Sequence, residues 1–209
     1  MIRKPKQIIW GLMILTFLSS PALLSAELSN IRNHSDIKDF ILLLNSGLTN
    51  CETSNIKYIL WTEDNSDLPT INNIVQDSPL IWQKEIICDF RGSKVYKFSS
   101  DNKVDKEEEK QILTQLSYIE RQLEGTQILL YFHQQIDENI DVWHYLSLNE
   151  IKKTQKTETE KLLSITGYSD TISKVLYSNK FDTNVQIITN NQSNNEKTLL
   201  ATPALLEDF

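Results

Sequence analysis

Hydrophobic positions along this chain fall into three kinds of pattern. The first is a block at the start. Arg3, Lys4 and Lys6 precede an apolar run, Ile8 to Leu18, and then small or mildly apolar residues, Ser19 to Ala26. That order, basic then apolar then small, is the order of a secretory signal peptide. The apolar run is about half the roughly 20 residues that a membrane-spanning helix requires, so a cleaved leader is expected rather than a permanent span. Ala26 is the expected last residue, with a cut after Ala22 as the alternative, because Leu24 is large for the position it would occupy.

The second pattern has helical spacing. Ile112, Leu116, Ile119 and Leu123 recur at four, three and four residues, Asp101 or Asp105 can cap the segment, and Gly125 ends it. Glu107, Glu108 and Glu109 fall in the first turn, where acids suit the helix dipole. A shorter helix is expected over 35–45, with Ser35 as cap and Gly47 just past its end.

The third pattern is short runs rich in β-branched and aromatic residues. Ile56 to Thr62, Leu80 to Phe90 and Ser93 to Phe98 read as strands, the last two joined by a tight turn at Arg91-Gly92. Gln127 to Ile136 and Ile140 to Leu148 flank Asp137-Glu138-Asn139 and read as a hairpin, with the apolar run from Ile128 to Phe132 covered on both faces. Thr171 to Tyr177 and Thr183 to Thr189 suggest another hairpin. Lys152 to Lys161 is too polar for a core and is expected as an exposed loop or solvated helix. The expectation is therefore a leader over 1–26, one α+β domain over 27–189, and a polar low-complexity segment and tail over 190–209. In that domain antiparallel β-hairpins pack against one long amphipathic helix and a short N-terminal helix.

Charge and cysteine content narrow the class. The chain has 209 residues and a formal net charge of −7. Losing residues 1–26 removes three basic groups and no acid, leaving 18 Lys and Arg against 28 Asp and Glu, a balance near −10. A chain so acidic is a poor partner for nucleic acid or an anionic membrane surface. Cys51 and Cys88 are the two cysteines. In an exported chain they are expected to form a disulfide, whose loop of 37 residues would stabilise by roughly 4 kcal/mol in the chain-entropy account.

Catalytic signatures are sparse, and no cofactor is implied. The four glycines beyond the leader (Gly47, Gly92, Gly125, Gly167) are too far apart for a phosphate-cradling loop, and neither a His-Glu-x-x-His nor a Cys-x-x-Cys motif occurs. His133 and His144 would lie on the two arms of the expected hairpin. In one register they face each other and could share a metal or a proton; a slip of one residue sends them to opposite faces. Trp61, Trp82, Trp143, Tyr131 and Tyr145 could form a stacking platform for carbohydrate or could be core. Asn33 and Asn191 match the glycosylation acceptor pattern.

The segment QLEGTQILLYFHQQ, residues 122–135, and the later LLSITGYSDTISKVLYSNKFDTNVQIIT, residues 162–189, resemble the CsiV-type peptidoglycan-binding proteins of bacterial envelopes. The likeness covers about residues 105–190; the tryptophan that follows the histidine in that pattern is absent. It implies a non-enzymatic envelope protein and transfers no binding residue. The sequence thus points to an exported, periplasmic or secreted, non-catalytic binding or adaptor protein. Its partner would be peptidoglycan or an envelope protein, with Trp143, Tyr145, His133 and His144 as candidate surface residues and sheet edges as a candidate contact. The rivals are a small secreted hydrolase or metal-dependent enzyme using His133 and His144, and a secreted effector or inhibitor acting on a protein.

Overall fold

A computed structural model describes residues 40–63, 65–90, 93–172, 176–177, 182–190 and 196–203; for 88–90, 93, 176, 177 and 182 it describes the backbone alone. The expected leader, its cut sites, Asn33, Asn191 and the Arg91-Gly92 turn lie outside these residues.

The strands are β1 (Thr53–Thr62), β2 (Gln83–Phe90), β3 (Ser93–Asp105), β4 (Leu129–Ile136), β5 (Lys152–Glu158), β6 (Leu162–Tyr168), β7 (Leu176–Tyr177), β8 (Asp182–Thr183), β9 (Val185–Asn190) and β10 (Lys197–Thr202). Eight of them form one sheet in the order β2-β3-β1-β4-β10-β9-β6-β5, every neighbouring pair antiparallel, and β7 pairs with β8 separately. The helices are α1 (Leu68–Asp77), α2 (Lys106–Gln122) and α3 (Val142–Leu148), with short 3-10 turns at Leu44–Ser46 and Asn65–Asp67.

One face of the sheet carries the core. Tyr58 and Leu60 of β1, Phe98 of β3, Phe132 and Ile136 of β4, Ile187 of β9 and Leu200 of β10 are buried there. They pack with Ile71 and Ile74 of α1, Ile112 and Ile119 of α2, and Val142, Tyr145 and Leu146 of α3. Along β4 burial is continuous from Leu130 to Gln134, so its middle is covered on both faces. On the opposite face Ile59, His133 and Ala201 are buried as well.

Asp105 starts α2. Its side chain accepts from the backbone N–H groups of Glu107 and Glu108, while the Glu108 side chain accepts from the Asp105 N–H at 3.0 Å. This reciprocal capping satisfies donors that the first turn would otherwise leave open. Gly125, at φ +77°, takes the left-handed conformation just beyond the helix.

The expected architecture is corrected in several respects. The α+β arrangement of hairpins around one long amphipathic helix gives way, among the described residues, to a single eight-stranded antiparallel sheet with three helices on one face. The reason lies in the pairing. β1 sits between β3 and β4, and β10 sits between β4 and β9. Local periodicity tells which side of a strand is buried but not which strand lies beside it.

The hairpin expected about residues 137–139 is not formed. Its second arm is helix α3, because the Asp141 side chain accepts from the His144 N–H at 3.0 Å and caps a helix whose buried residues, Val142, Tyr145 and Leu146, recur at three and four. The segment expected to be loop or solvated helix is strand β5, every residue exposed. An edge strand open on both faces carries no alternation for a reader to find. Residues 197–202, within the expected tail, form a strand inside the sheet.

The described part of the expected N-terminal helix has only the 3-10 turn Leu44–Ser46, closed by Gly47 at φ +73°. The backbone N–H groups of Ile41, Leu43, Leu44 and Asn45 are taken by side chains instead, as described below. The disulfide is also corrected: Cys51 is a free, partly buried thiol. Thr53, two residues after it, pairs with Asp105 of β3, whereas Cys88 pairs with Val95. Ten residues of β3 separate those points, roughly 33 Å of strand. A disulfide holds Cα atoms within about 7 Å.

Candidate binding surface

The most elaborate polar arrangement lies inside the molecule. Glu109, on α2, is buried, and each of its carboxyl oxygens accepts two hydrogen bonds. Oε1 receives the Leu44 N–H at 2.8 Å and the side-chain amide of Gln134, while Oε2 receives the Asn45 N–H at 2.8 Å and the Asn45 side-chain amide. Gln134, fully buried on β4, accepts from the Leu43 N–H at 2.9 Å and donates also to Ser54 Oγ at 3.0 Å.

Asn149, just past α3, brackets Ile41. Its Oδ1 accepts from the Ile41 N–H at 2.6 Å and its Nδ2 donates to the Ile41 carbonyl at 3.1 Å. The Tyr145 hydroxyl donates to that same carbonyl at 2.6 Å. Burial, and then the nearby negative Glu109, hold the Tyr145 hydroxyl well above the ordinary tyrosine range, so it stays a donor. Side chains from β4, α2 and α3 thus do for segment 41–45 what a neighbouring strand would do. Phe40, Leu42, Leu43 and Leu44 meanwhile fill the core. This is an internal clamp already occupied by the chain itself.

The residues singled out by sequence do not converge. His133 is buried on β4, in register between Lys57 of β1 and Ala201 of β10, on the face away from the core. His144 is exposed on α3, whose buried residues join the core on the other face. The sheet stands between the two imidazoles. Among the described residues no group of three or more His, Cys, Asp and Glu is placed to hold a metal ion.

The aromatic platform is not assembled either. Tyr131 and Tyr145 are buried, Trp82 packs against the core beside Tyr58, and Trp143 stands on α3 with 54% of its surface exposed.

The two edges of the sheet differ sharply. At the β5 edge Lys152, Lys153 and Lys156 are exposed, and Lys152 is bonded to Asp170 at 2.6 Å. Lys153 has φ +50°, and the pairing with β6 shifts register between Lys152 and Gln155. Lysines and an irregular backbone are standard means of keeping a free edge from recruiting another strand.

The β2 edge also has a lysine, Lys84, and a register shift after Ile86, but its middle is apolar. Gln83, Lys84, Glu85, Ile86 and Ile87 are all exposed, with Ile86 at 51% and Ile87 at 44%, and Ile81, two residues before the strand, is 81% exposed. The Lys84 ammonium lies 4.9 Å from the Tyr96 ring centroid and 5.3 Å from that of Phe98, so its stem covers the sheet, and among the described residues no further strand pairs with β2 beyond β3. Sequence reading identified Leu80 to Phe90 as a strand but not as an edge, because edge position depends on topology. The missed signal was the Ile86-Ile87 pair, which breaks the alternation of the polar run Gln83-Lys84-Glu85 before it.

No helix among the described residues is long and apolar enough to cross a membrane. No protein-family model matches the chain, and no curated protein matches it in sequence.

Proposed function

We propose that this is an exported, non-catalytic binding or adaptor protein of the cell envelope that takes a strand from its partner onto the free edge of β2. The observation that carries the proposal is the contrast between the two edges: only polar residues along β5, two adjacent exposed isoleucines in the middle of β2. Strand addition draws its affinity from main-chain hydrogen bonds and its selectivity from side chains at alternate positions. An envelope setting is supported by the leader-like order of residues 1–26 and by the resemblance over 105–190.

The experiment compares capture from an envelope extract, and retention on purified peptidoglycan sacculi, for the unmodified protein, an Ile86→Lys/Ile87→Lys variant and a Trp143→Ala variant. Edge recognition requires that a captured protein, untagged copies of this chain included, be lost with the isoleucine variant and kept with Trp143→Ala. Exposed Trp143 favours a second reading, glycan binding. Retention on sacculi lost only in Trp143→Ala would establish that reading and overturn the edge proposal.

A further inference from the structure

We infer that the strand received by the β2 edge comes from a second copy of this chain, in a two-fold antiparallel β2–β2 pairing centred between Ile86 and Ile87. The inference rests on the edge reading above and names its partner. In an antiparallel pair, directly opposed positions lie on the same face of the sheet. A strand with unbroken alternation therefore cannot pair with its own copy about a point between two residues, because facing positions would belong to opposite faces. β2 escapes this restriction.

Its register with β3 runs Gln83 to Ser99, Lys84 to Phe98, Glu85 to Lys97 and Ile86 to Tyr96, then shifts, and resumes with Cys88 at Val95, Asp89 at Lys94 and Phe90 at Ser93. Ile87 is the extra residue, so Ile86 and Ile87 together oppose Tyr96. Positions 84 and 89 are then on the core side, positions 83, 85, 88 and 90 on the other. The order of faces reads the same from either end of the strand.

Pairing about the bulge sets position 83 across from 90, 84 across from 89, 85 across from 88, and 86 across from 87. That register places a lysine opposite an aspartate twice, once on each side of the axis, and isoleucine opposite isoleucine at the centre. Neither like charge faces its own kind. Moving the axis by half a residue, onto Ile87, would set position 85 across from 89 and 86 across from 88, which pairs positions on opposite faces. The exposed Ile81 of each copy lies beyond the end of the ladder and extends the apolar strip.

An interface built mainly on one strand pair is small, so the dimer is expected to dissociate at micromolar concentration, about the lower limit of stable association. The test is sedimentation velocity of the full purified protein over about 1 to 100 μM, a range chosen for so small an interface. Alongside it, Glu85→Cys is treated with oxidised glutathione. The expected results are a rise toward twice the monomer mass, loss of that rise in Ile86→Lys, and a covalent dimer in Glu85→Cys. The new thiol faces Cys88 of the other copy at a Cα separation of about 5 Å, within disulfide range. The covalent dimer should vanish when Cys88→Ser is added, and should be absent in Gln83→Cys.

A protein that stays monomeric across the series, with no covalent dimer, overturns the self-pairing; if Ile86→Lys/Ile87→Lys still abolishes capture from the extract, the edge reading stands without it. A dimer indifferent to Ile86→Lys overturns the self-pairing and removes the ground of the edge reading as well.

Discussion

Replacing Glu109 by alanine tests the internal clamp directly. The carboxyl group receives four donors, and the substitution leaves all of them without that partner. The Asn45 donors are partly buried and can turn toward water, and the Gln134 amide keeps Ser54. The Leu44 N–H has no such recourse, because Leu44 is 2% exposed. Stranding one fully buried donor and weakening several charge-assisted bonds should cost about 3 to 5 kcal/mol, at roughly 1 to 3 kcal/mol for each buried group left unmet. For a chain of this length that is a fall in Tm of roughly 10 °C. Urea unfolding followed by circular dichroism gives the first number and a thermal scan the second, with Glu107→Ala, exposed on the same helix, as control within about 0.5 kcal/mol. Amide exchange should show Leu43, Leu44 and Asn45 losing protection ahead of the sheet. A loss below about 1 kcal/mol would refute the claim that Glu109 holds this segment, since even one stranded buried donor exceeds it.

Three further outcomes follow from the same structure. Tyr145→Phe removes one donor from the Ile41 carbonyl, which keeps Asn149, so the loss in urea unfolding should be only about 0.5 to 1.5 kcal/mol. Gly167→Ala sets a methyl group against Ile151 Cγ2 and 3.2 Å from the Lys152 carbonyl, where β6 meets the start of β5, and should destabilise by about 1 to 3 kcal/mol by the same assay. Glu138 accepts from the Thr49 hydroxyl, which holds its carboxyl below the ordinary 4.5, with bonds from Asn50 adding to the effect. Its contribution is thus present above pH 4.5 and is lost as pH falls through the lowered value. Protection of the Asn50 and Cys51 amides, relative to their intrinsic exchange at each pH, should fall below that point and stay level from neutral pH down to it, and Glu138→Gln should flatten the acid limb; an unchanged limb would remove Glu138 from the account.

What could be read from the sequence was local. The cap at Asp105 with Glu108 is written within four residues, and the strand character of Ile56 to Thr62 and Ser93 to Phe98 within six or seven each. Assembly was not local. Whether Cys51 meets Cys88 depends on ten residues of register along β3, and whether His133 meets His144 depends on a turn that Asp141 converts into a helix start. The clamp was invisible for the same reason: Glu109 read as an ordinary first-turn acid, and Gln134 as one residue of an expected strand. Their partners lie 64, 65 and 91 residues away in sequence. The open β2 edge became apparent only once the strand order was known.

The place of β10 has a consequence for the order in which this molecule can be completed. The strands that precede it can assemble β2, β3, β1 and β4 on one side and β5, β6 and β9 on the other, but these two half-sheets share no ladder until residues 197–202 slide between them. Buried Leu200 and Thr198 are then the keystones of a single cooperative structure. A chain synthesised from its N-terminus stays divided until that strand emerges.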